Sequence, residues 1–386
     1  MKKIGIVTYW DTKDNYGTVL QNYALQNFLK IRGFEPELIR VRPNPRKSFQ
    51  EMILIFSGQK NFVKMITFIL TYPLRCCLKK VFARKQNKRR FFDFQNKYLN
   101  KTKIYNSYTE LKTADFTYDC LIAGSDQICN FYDYSLNEAY NLIHTYFLDF
   151  GGSNVKRISC AASFGKDNLN RNHIEEIKPL MQKFDFVSVR EEYGIDLCQK
   201  LGFETSVKQE DPTFLLDTEH YNNLADSVQS KKKRKYVFLY LLSNHCDFDL
   251  SSFYQWAKAN KLEVVYVSGN DSLRNTNKYK KIYPSVEEWL SLIKNAEYVF
   301  TNSFHGTIFC IKFNKQFLTI PQTGKFTSQN ARITSLLQKF NLQERLFIDS
   351  FDAICSVIDY TTINNQMKLI QAESPFVKYI EREVAK

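Results

Sequence analysis

The sequence predicts an α/β protein made of two doubly wound, Rossmann-like domains that face each other over a cleft. Three observations predict it. Short apolar runs alternate with stretches of helical periodicity, the pattern of successive βαβ units. Several of those runs end in a small polar cluster with a glycine, the form of a strand-to-helix ligand loop. The chain has 386 residues, too many for one ordinary domain and comfortable for two.

The elements follow in order. Lys3 to Tyr9 reads as a strand, and Asp11 to Gly17 as a polar loop. Val19, Leu20, Tyr23, Ala24, Phe28 and Ile31 keep helical spacing up to Gly33, and Glu37 to Val41 closes a βαβ unit. The loop Asp14–Asn15–Tyr16–Gly17 thus lies at a strand's carboxyl end, where the large Tyr16 ring is expected to stack on a ligand. Phe116 to Ala123 reads as a strand ending in Gly124–Ser125–Asp126–Gln127. Lys156 to Ala162 ends in Ser163–Phe164–Gly165, and Phe184 to Val189 ends in Arg190–Glu191–Glu192. Parallel strands put such loops on one sheet edge, so Asn15, Ser125, Asp126, Gln127, Ser163 and Arg190 are expected around one polar, anion-tolerant cleft. Each has an ordinary reading as well. Asp126 would be a turn carboxylate bonded to its own backbone, and Arg190 half of an ion pair with Glu191 or Glu192.

A second α/β run follows the junction Lys208–Thr213. Its strands are Tyr236–Leu242, Glu263–Val267, Tyr298–Thr301 and Phe317–Ile320, and Ser285 with Glu288 three residues on is a capping box. The run Tyr298 to Gly306 is the sharpest element. A buried strand meets the polar cluster Asn302–Ser303, then His305 and Gly306, where a helix begins. A helix N-terminus offers amide N–H groups and a dipole that suit an anion. His305 would stand at the cleft mouth, able to exchange a proton near neutral pH. The plain reading makes Asn302 or Ser303 an N-cap and His305 a surface ring. The boundaries expected are 1–207 for the first domain, 208–355 for the second, and 356–386 for a helical end crossing back to the first.

Composition narrows the classes. The nine cysteines form no CxxC pair and no zinc spacing, so reduced thiols are expected, with no metal and no cofactor. No stretch reaches the roughly 20 uninterrupted apolar residues of a membrane span, and no signal-peptide pattern opens the chain, so a cytoplasmic protein is expected. The net charge of +14 implies a polyanionic partner. No nucleic-acid-binding motif is present. Residues 52–98 mix apolar side chains with Lys64, Arg75, Lys79, Arg84, Arg89 and others, within a helical insertion at about 50–100. Such basic amphipathic helices lie in anionic membrane surfaces, so a peripheral contact with the inner face of the plasma membrane is expected there.

In this order and spacing the pieces resemble the polysaccharide pyruvyl transferase family. They are Asn15–Tyr16–Gly17 with Leu20–Gln21 and Tyr23–Ala24–Leu25; Ile122 to Gln127; Ala162 to Gly165; Ser188 to Glu191; Asp211–Pro212–Thr213; Thr301 to Gly306; and Ala331–Arg332–Ile333. Only about 45–110 lacks a matching piece. The resemblance implies the two-domain fold called GT-B and the transfer of the enolpyruvyl unit of phosphoenolpyruvate onto two hydroxyls of a sugar in a surface or capsular polysaccharide precursor. A cyclic ketal forms and phosphate leaves. His305, Asp126 and Arg190 are then the expected catalytic residues, with either His305 or Asp126 as the acid. Asn15, Tyr16, Gly17, Ser125, Gln127, Ser163, Asn302, Ser303, Gly306 and Arg332 would bind substrate, with Asn15, Tyr16 and Ser163 towards the glycan acceptor, lipid-linked or free. The chain departs from relatives at Cys129, where many carry an aromatic, and at Ser303–Phe304, where some branches have an arginine beside the histidine. Arg332 is the expected substitute. Two rivals are a nucleotide-sugar glycosyltransferase on the same fold and a non-catalytic, membrane-docked assembly protein.

Overall fold

The computed structural model describes residues 1–44, 66–67, 69–73, 87–228, 234–269 and 279–385. In the first half lie β1 (Lys3–Val7), β2 (Glu35–Val41), β3 (Lys101–Tyr105), β4 (Cys120–Ala123), β5 (Lys156–Ser159), β6 (Ser188–Val189) and β7 (Val207–Lys208). The first five form a parallel sheet in the order β3-β2-β1-β4-β5. Bridges from Ile158 to Phe186 and from Ala162 to Val189 carry the ladder on to β6, which pairs with β7. The second sheet runs β10 (Lys281–Ile282), β9 (Glu263–Ser268), β8 (Tyr236–Leu241), β11 (Tyr298–Thr301), β12 (Gln316–Thr319), again all parallel. Strand order reverses between β1 and β4 and between β8 and β11, and a crevice opens at such switch points in doubly wound sheets. Covered on both faces, β4 and β8 are buried at every residue, which is why they read as unbroken apolar runs.

Six helices matter below: α1 (Tyr16–Ile31), α2 (Phe91–Tyr98), α3 (Val286–Lys294), α4 (Phe304–Lys312), α5 (Asn330–Lys339) and α6 (Pro375–Tyr379). Asn15 caps α1, its side chain accepting from the N–H groups of Gly17 and Thr18, and the Ser285/Glu288 capping box opens α3. In α6, Phe376 and Val377 pack with Ile4, Leu25, Phe28 and Ile122, so the chain end lies on the first sheet. The expected strands at 116–123, 156–162 and 184–189 are shorter in the ladder than their apolar runs. β3 escapes a pattern reading because its Lys-Thr-Lys start is polar, as befits an edge strand.

The halves meet through a dense apolar seam. Val19, Leu20 and Tyr23 of α1 and Phe91 and Phe94 of α2 share one core with Phe238, Trp289 and Phe309 of the second half. Much of the basic 52–98 stretch lies outside the described residues. In its described part, at 66–67, 69–73 and 87–98, one of the basic residues does not lie on a surface. Arg89 is wholly buried, and its guanidinium donates to the carbonyls of Lys13 and Ser268, one from each half. At 66–67 and 69–73 the chain is helical and exposes Ile66, Ile69 and Leu70. No helix among the described residues is long and apolar enough to cross a membrane.

Candidate functional site

Backbone bonds between neighbouring loops line up the strand ends. The Ser163 N–H donates to Asp126 O at 3.1 Å, Arg190 N–H to Ala162 O at 3.0 Å, and Gln209 N–H to Val189 O at 2.9 Å. Asp126, Ser163, Arg190 and Asp211 therefore stand side by side past the carboxyl ends of β4 to β7. Asp126 takes a left-handed conformation, φ +74°, which asparagine and aspartate tolerate better than most residues. Its Oδ1 accepts from the Gln127 N–H at 2.9 Å and its Oδ2 from the Thr18 hydroxyl of α1 at 2.8 Å. The turn-forming reading is thus real, yet one oxygen is tied to the other side of the crevice.

Asp211 is the hub. Wholly buried, it accepts from Ser125 Oγ at 3.0 Å, Arg190 Nη1 at 3.2 Å, and both Thr213 N and Oγ1 at 3.0 and 2.8 Å. His305 Nε2 stands 3.4 Å from the same Oδ2, within ion-pair reach. Burial alone would raise the Asp211 carboxyl, but His305 and Arg190 outweigh it and hold it far below the carboxylate range. Arg190 also pairs with Glu191 at 3.2 Å, and Glu191 accepts from Ser163 Oγ at 2.7 Å. Burial works against the Arg190 charge, while Glu191, Asp211 and Asp126 more than restore it and raise the group above its ordinary value.

Arg332, on α5, approaches from the second half. Its guanidinium and that of Arg190 lie over the Phe304 ring, 5.7 and 4.9 Å from the centroid. With the Gln127 amide turned so that its oxygen faces α5, that oxygen accepts from both Arg332 Nη atoms at 3.1 and 2.8 Å. Among the described residues no carboxylate comes within ion-pair reach of Arg332, which is only 9% exposed. Burial, and then the Arg190 charge, lower its pKa. Arg332 Nε and Arg190 Nη2 are buried without a hydrogen-bond acceptor. An uncompensated buried cation costs several kcal/mol, so Arg332, with the spare Arg190 N–H beside it, is suited to receive an anion.

Several expected substrate residues are placed differently. Tyr16 does not face ligand. Fully buried, its ring stacks on Trp289 at 4.9 Å and 8°, and its hydroxyl donates to Pro284 O at 2.7 Å, so it fastens the halves together. Ser163 is buried against Glu191 rather than turned to an acceptor. Asn302 is spent on the backbone, accepting from Leu242 N at 2.7 Å and donating to Ser243 O at 2.6 Å. Ser303 is the N-cap of α4 and accepts from Gly306 N, the plain reading of that cluster. Gly306 packs on Thr301, whose Oγ1 would lie 2.5 Å from a Cβ there. His305 is not at a mouth but 5% exposed, pressed on α1 so closely that a Cβ on Gly17 would lie 2.0 Å from its Nδ1. Of the other histidines, His144 sits between Asp149 and Glu176, each 2.7 Å away, and shares no partner with the cluster.

Sequence reasoning missed the hub. Asp211 was visible only as Asp-Pro-Thr at a domain junction, and its place after β7 needed the short pair Val207–Lys208 to be read as a strand. Glu191 entered only as a neutralising partner of Arg190, although its oxygen also orders Ser163.

A family model described as polysaccharide pyruvyl transferase matches residues 15–323. No curated protein matches the chain. Among solved structures, the S. aureus MnaA–UDP complex is similar over 100% of this chain and 97% of its own, at 10% identity and a TM-score of 0.51. The UDP-GlcNAc 2-epimerase of Methanocaldococcus jannaschii is similar over 96% of this chain and 93% of its own, at 10% identity and a TM-score of 0.45. At such identities the first likeness shows the shared fold, the two-domain Rossmann-like GT-B architecture.

Proposed function

Because the chain belongs to the polysaccharide pyruvyl transferase family, we propose that it moves the enolpyruvyl unit of phosphoenolpyruvate onto two hydroxyls of a glycan, closing a pyruvate ketal and releasing phosphate. One observation carries the donor assignment: Arg332, a buried guanidinium with no carboxylate partner among the described residues, lies beside Arg190 over one aromatic ring. A small anion bearing both carboxylate and phosphate suits the open Arg332 fork together with the spare Nη2 of Arg190. The α4 amino terminus adds amide donors and a favourable dipole.

The reaction assigns each group work. A proton goes to the donor's methylene carbon, which becomes a methyl group, and C2 turns cationic. One sugar hydroxyl adds to C2 and loses its proton. The C–O bond to phosphate then breaks, and a second hydroxyl closes the ketal, its proton leaving with phosphate. His305 serves as proton donor and Asp126 as acceptor for the hydroxyl proton, and Asp211 keeps His305 and Arg190 in place. Asp126 suits that part because one of its oxygens already accepts a hydroxyl hydrogen bond, from Thr18.

The test is Arg332→Met, with donor-dependent phosphate release as readout. The expected result is a KM for phosphoenolpyruvate raised at least tenfold in a folded protein. Unchanged kinetics would remove the assignment. Stabilisation of the wild type by UDP but not by phosphoenolpyruvate in a melting assay would instead favour the nucleotide-sugar reading. The exposed Ile66, Ile69 and Leu70 support a peripheral membrane contact on the cytoplasmic side, and equal failure to float with anionic and neutral liposomes would reject it.

A further inference from the structure

Beside the charge cluster, on the first half, opens a cavity of about 820 Å3, of whose lining the mechanism above uses only Asp126. It lies between the β1–α1 loop, the residues following β2, and the loop and helix that follow β4. Its size is within the range of small-ligand sites. Asp126, Gln127 and Thr18 line it; Gln127 bonds Arg332, and Asp126, which accepts from Thr18, acts on both arginines, so cavity and cluster share a wall.

The lining has a definite chemistry. Tyr9 and Tyr146 meet edge to face at 5.3 Å, and the half-exposed Tyr134 stands at the rim. Trp10 is fixed by its indole N–H, which donates to Val41 O at 2.9 Å. Rigid amphipathic rings of this kind suit a ligand with an apolar face and polar edges. Hydrogen-bonding groups come from Asp126, Gln127 and Asn130. Positive charge is nearly silent. Among the described lining residues the one guanidinium is Arg42, and it is bound to Asp11 at 3.0 Å and held 5.3 Å over the Trp10 ring. Of the other lining carboxylates, Asp133 is taken by Lys166 at 2.8 Å and Asp14 accepts from the Thr12 hydroxyl. Among the described residues the cavity therefore offers rings, amides and carboxylates, and no uncompensated cation, while the neighbouring cluster offers two guanidiniums.

We propose that this cavity is the acceptor subsite, and that it takes an uncharged pyranose and refuses uronic acids and phosphorylated sugars. The inference rests on the donor reading above, since Asp126 in the shared wall is what would bring the sugar hydroxyl to the donor. Charge is segregated across that wall. The anionic donor is drawn to the arginine side, and the acceptor side does not compete for it. A neutral sugar lies on Tyr134 and Tyr9 with a pair of hydroxyls towards Asp126.

The experiment measures glycoside binding directly, by saturation-transfer NMR and calorimetry on the full chain, with methyl hexosides and methyl hexuronides as probes. Phosphoenolpyruvate binding is measured separately on the same samples. The wild type is expected to bind at least one neutral hexoside and no hexuronide. Tyr134→Ala is expected to weaken the hexoside at least fivefold and to leave phosphoenolpyruvate binding unchanged. Asp11→Asn unpairs Arg42 and is expected to strengthen hexuronide binding about tenfold, a gain that loss of packing does not produce. Preference for hexuronides in the wild type, or hexoside binding untouched in Tyr134→Ala, overturns the proposal. Loss of phosphoenolpyruvate binding in the wild type, with the glycoside results as expected, removes the donor reading and leaves the sugar site standing.

Discussion

At the scale of single residues, the cluster is held by one carboxylate. Asp211 answers Arg190 and His305 and receives Ser125 and Thr213 as well, so its charge is shared by groups from both halves. Its pKa is depressed in the fold. By linkage, the stability it contributes is present above the unfolded carboxylate value of about 3.9 and is lost as pH falls below it. Asp211→Asn keeps the Thr213 bonds but leaves the Arg190 guanidinium and the His305 ring facing a neutral amide. It is expected to cost about 3 kcal/mol at pH 7 and to flatten the fall in melting temperature on acidification, measured by calorimetry from pH 7 to 3. Lys312 has the opposite charge but the same sense of pH dependence, in a higher window. Burial under Phe214 and Tyr221 pushes it down to about 7, and its ammonium donates to Leu216 O at 3.1 Å. Its folded value is below the unfolded one, so the unfolded chain binds more protons between about pH 7 and 10.4, and stability rises with pH across that window. Lys312→Met is expected to abolish that rise, read as melting temperature against pH. Neither Asp211 nor Lys312 was legible beforehand, because each owes its environment to residues far along the chain. Arg190 and Asp126 were legible, since strand ends advertise themselves as polar clusters after apolar runs.

At the scale of elements, what sequence patterning shows well is the strand followed by its loop. β1, β4, β8 and β11 are apolar runs with a polar stop, and the Ser285 capping box predicted the start of α3 at the correct residue. What patterning does not show is which side chain of a loop faces outward. Tyr16 and Asn15 are neighbours, yet one is buried on Trp289 and the other lines the cavity. A large aromatic after a strand satisfies a partner domain as well as a ligand, and only packing decides. The α1 amino terminus shows how tightly packing decides here. Gly17 lets the helix approach the His305 ring with no Cβ between them. Gly17→Ala forces that ring or the helix to move, an overpacking expected to cost about 1–3 kcal/mol. Turnover should suffer more than stability, because His305 shares its position with Asp211. Phosphate release falling at least a hundredfold in a protein that still melts cooperatively is the expected pair of results, and wild-type turnover in that variant would show that His305 has no part in the chemistry.

At the scale of the whole molecule, the two sheets were legible because each rests on its own alternation of strands and helices, whereas their mutual fastening was not. The fastening depends on Arg89 within a stretch whose basic composition suggested a membrane face. Its guanidinium reaches carbonyls of both halves and lies 4.9 Å from the Tyr283 ring centroid. Around it Tyr16 meets Phe91, Tyr240 and Trp289, all inside one continuous apolar core. Domains joined by small polar contacts move and melt independently, but a large apolar seam couples them. The intact protein is therefore expected to unfold in a single transition. Removing the seam's polar pins and its stacked ring, in Arg89→Met combined with Tyr16→Ala, takes away the donors to the carbonyls of Lys13, Ser268 and Pro284 and uncovers the Trp289 face while sparing both sheets. Calorimetry of that double variant is expected to resolve two transitions, with phosphate release lost because Arg190 and Arg332, which come from opposite halves, no longer share the Phe304 ring. A single cooperative transition at a merely lower temperature would mean that the remaining apolar contacts alone hold the two halves in register.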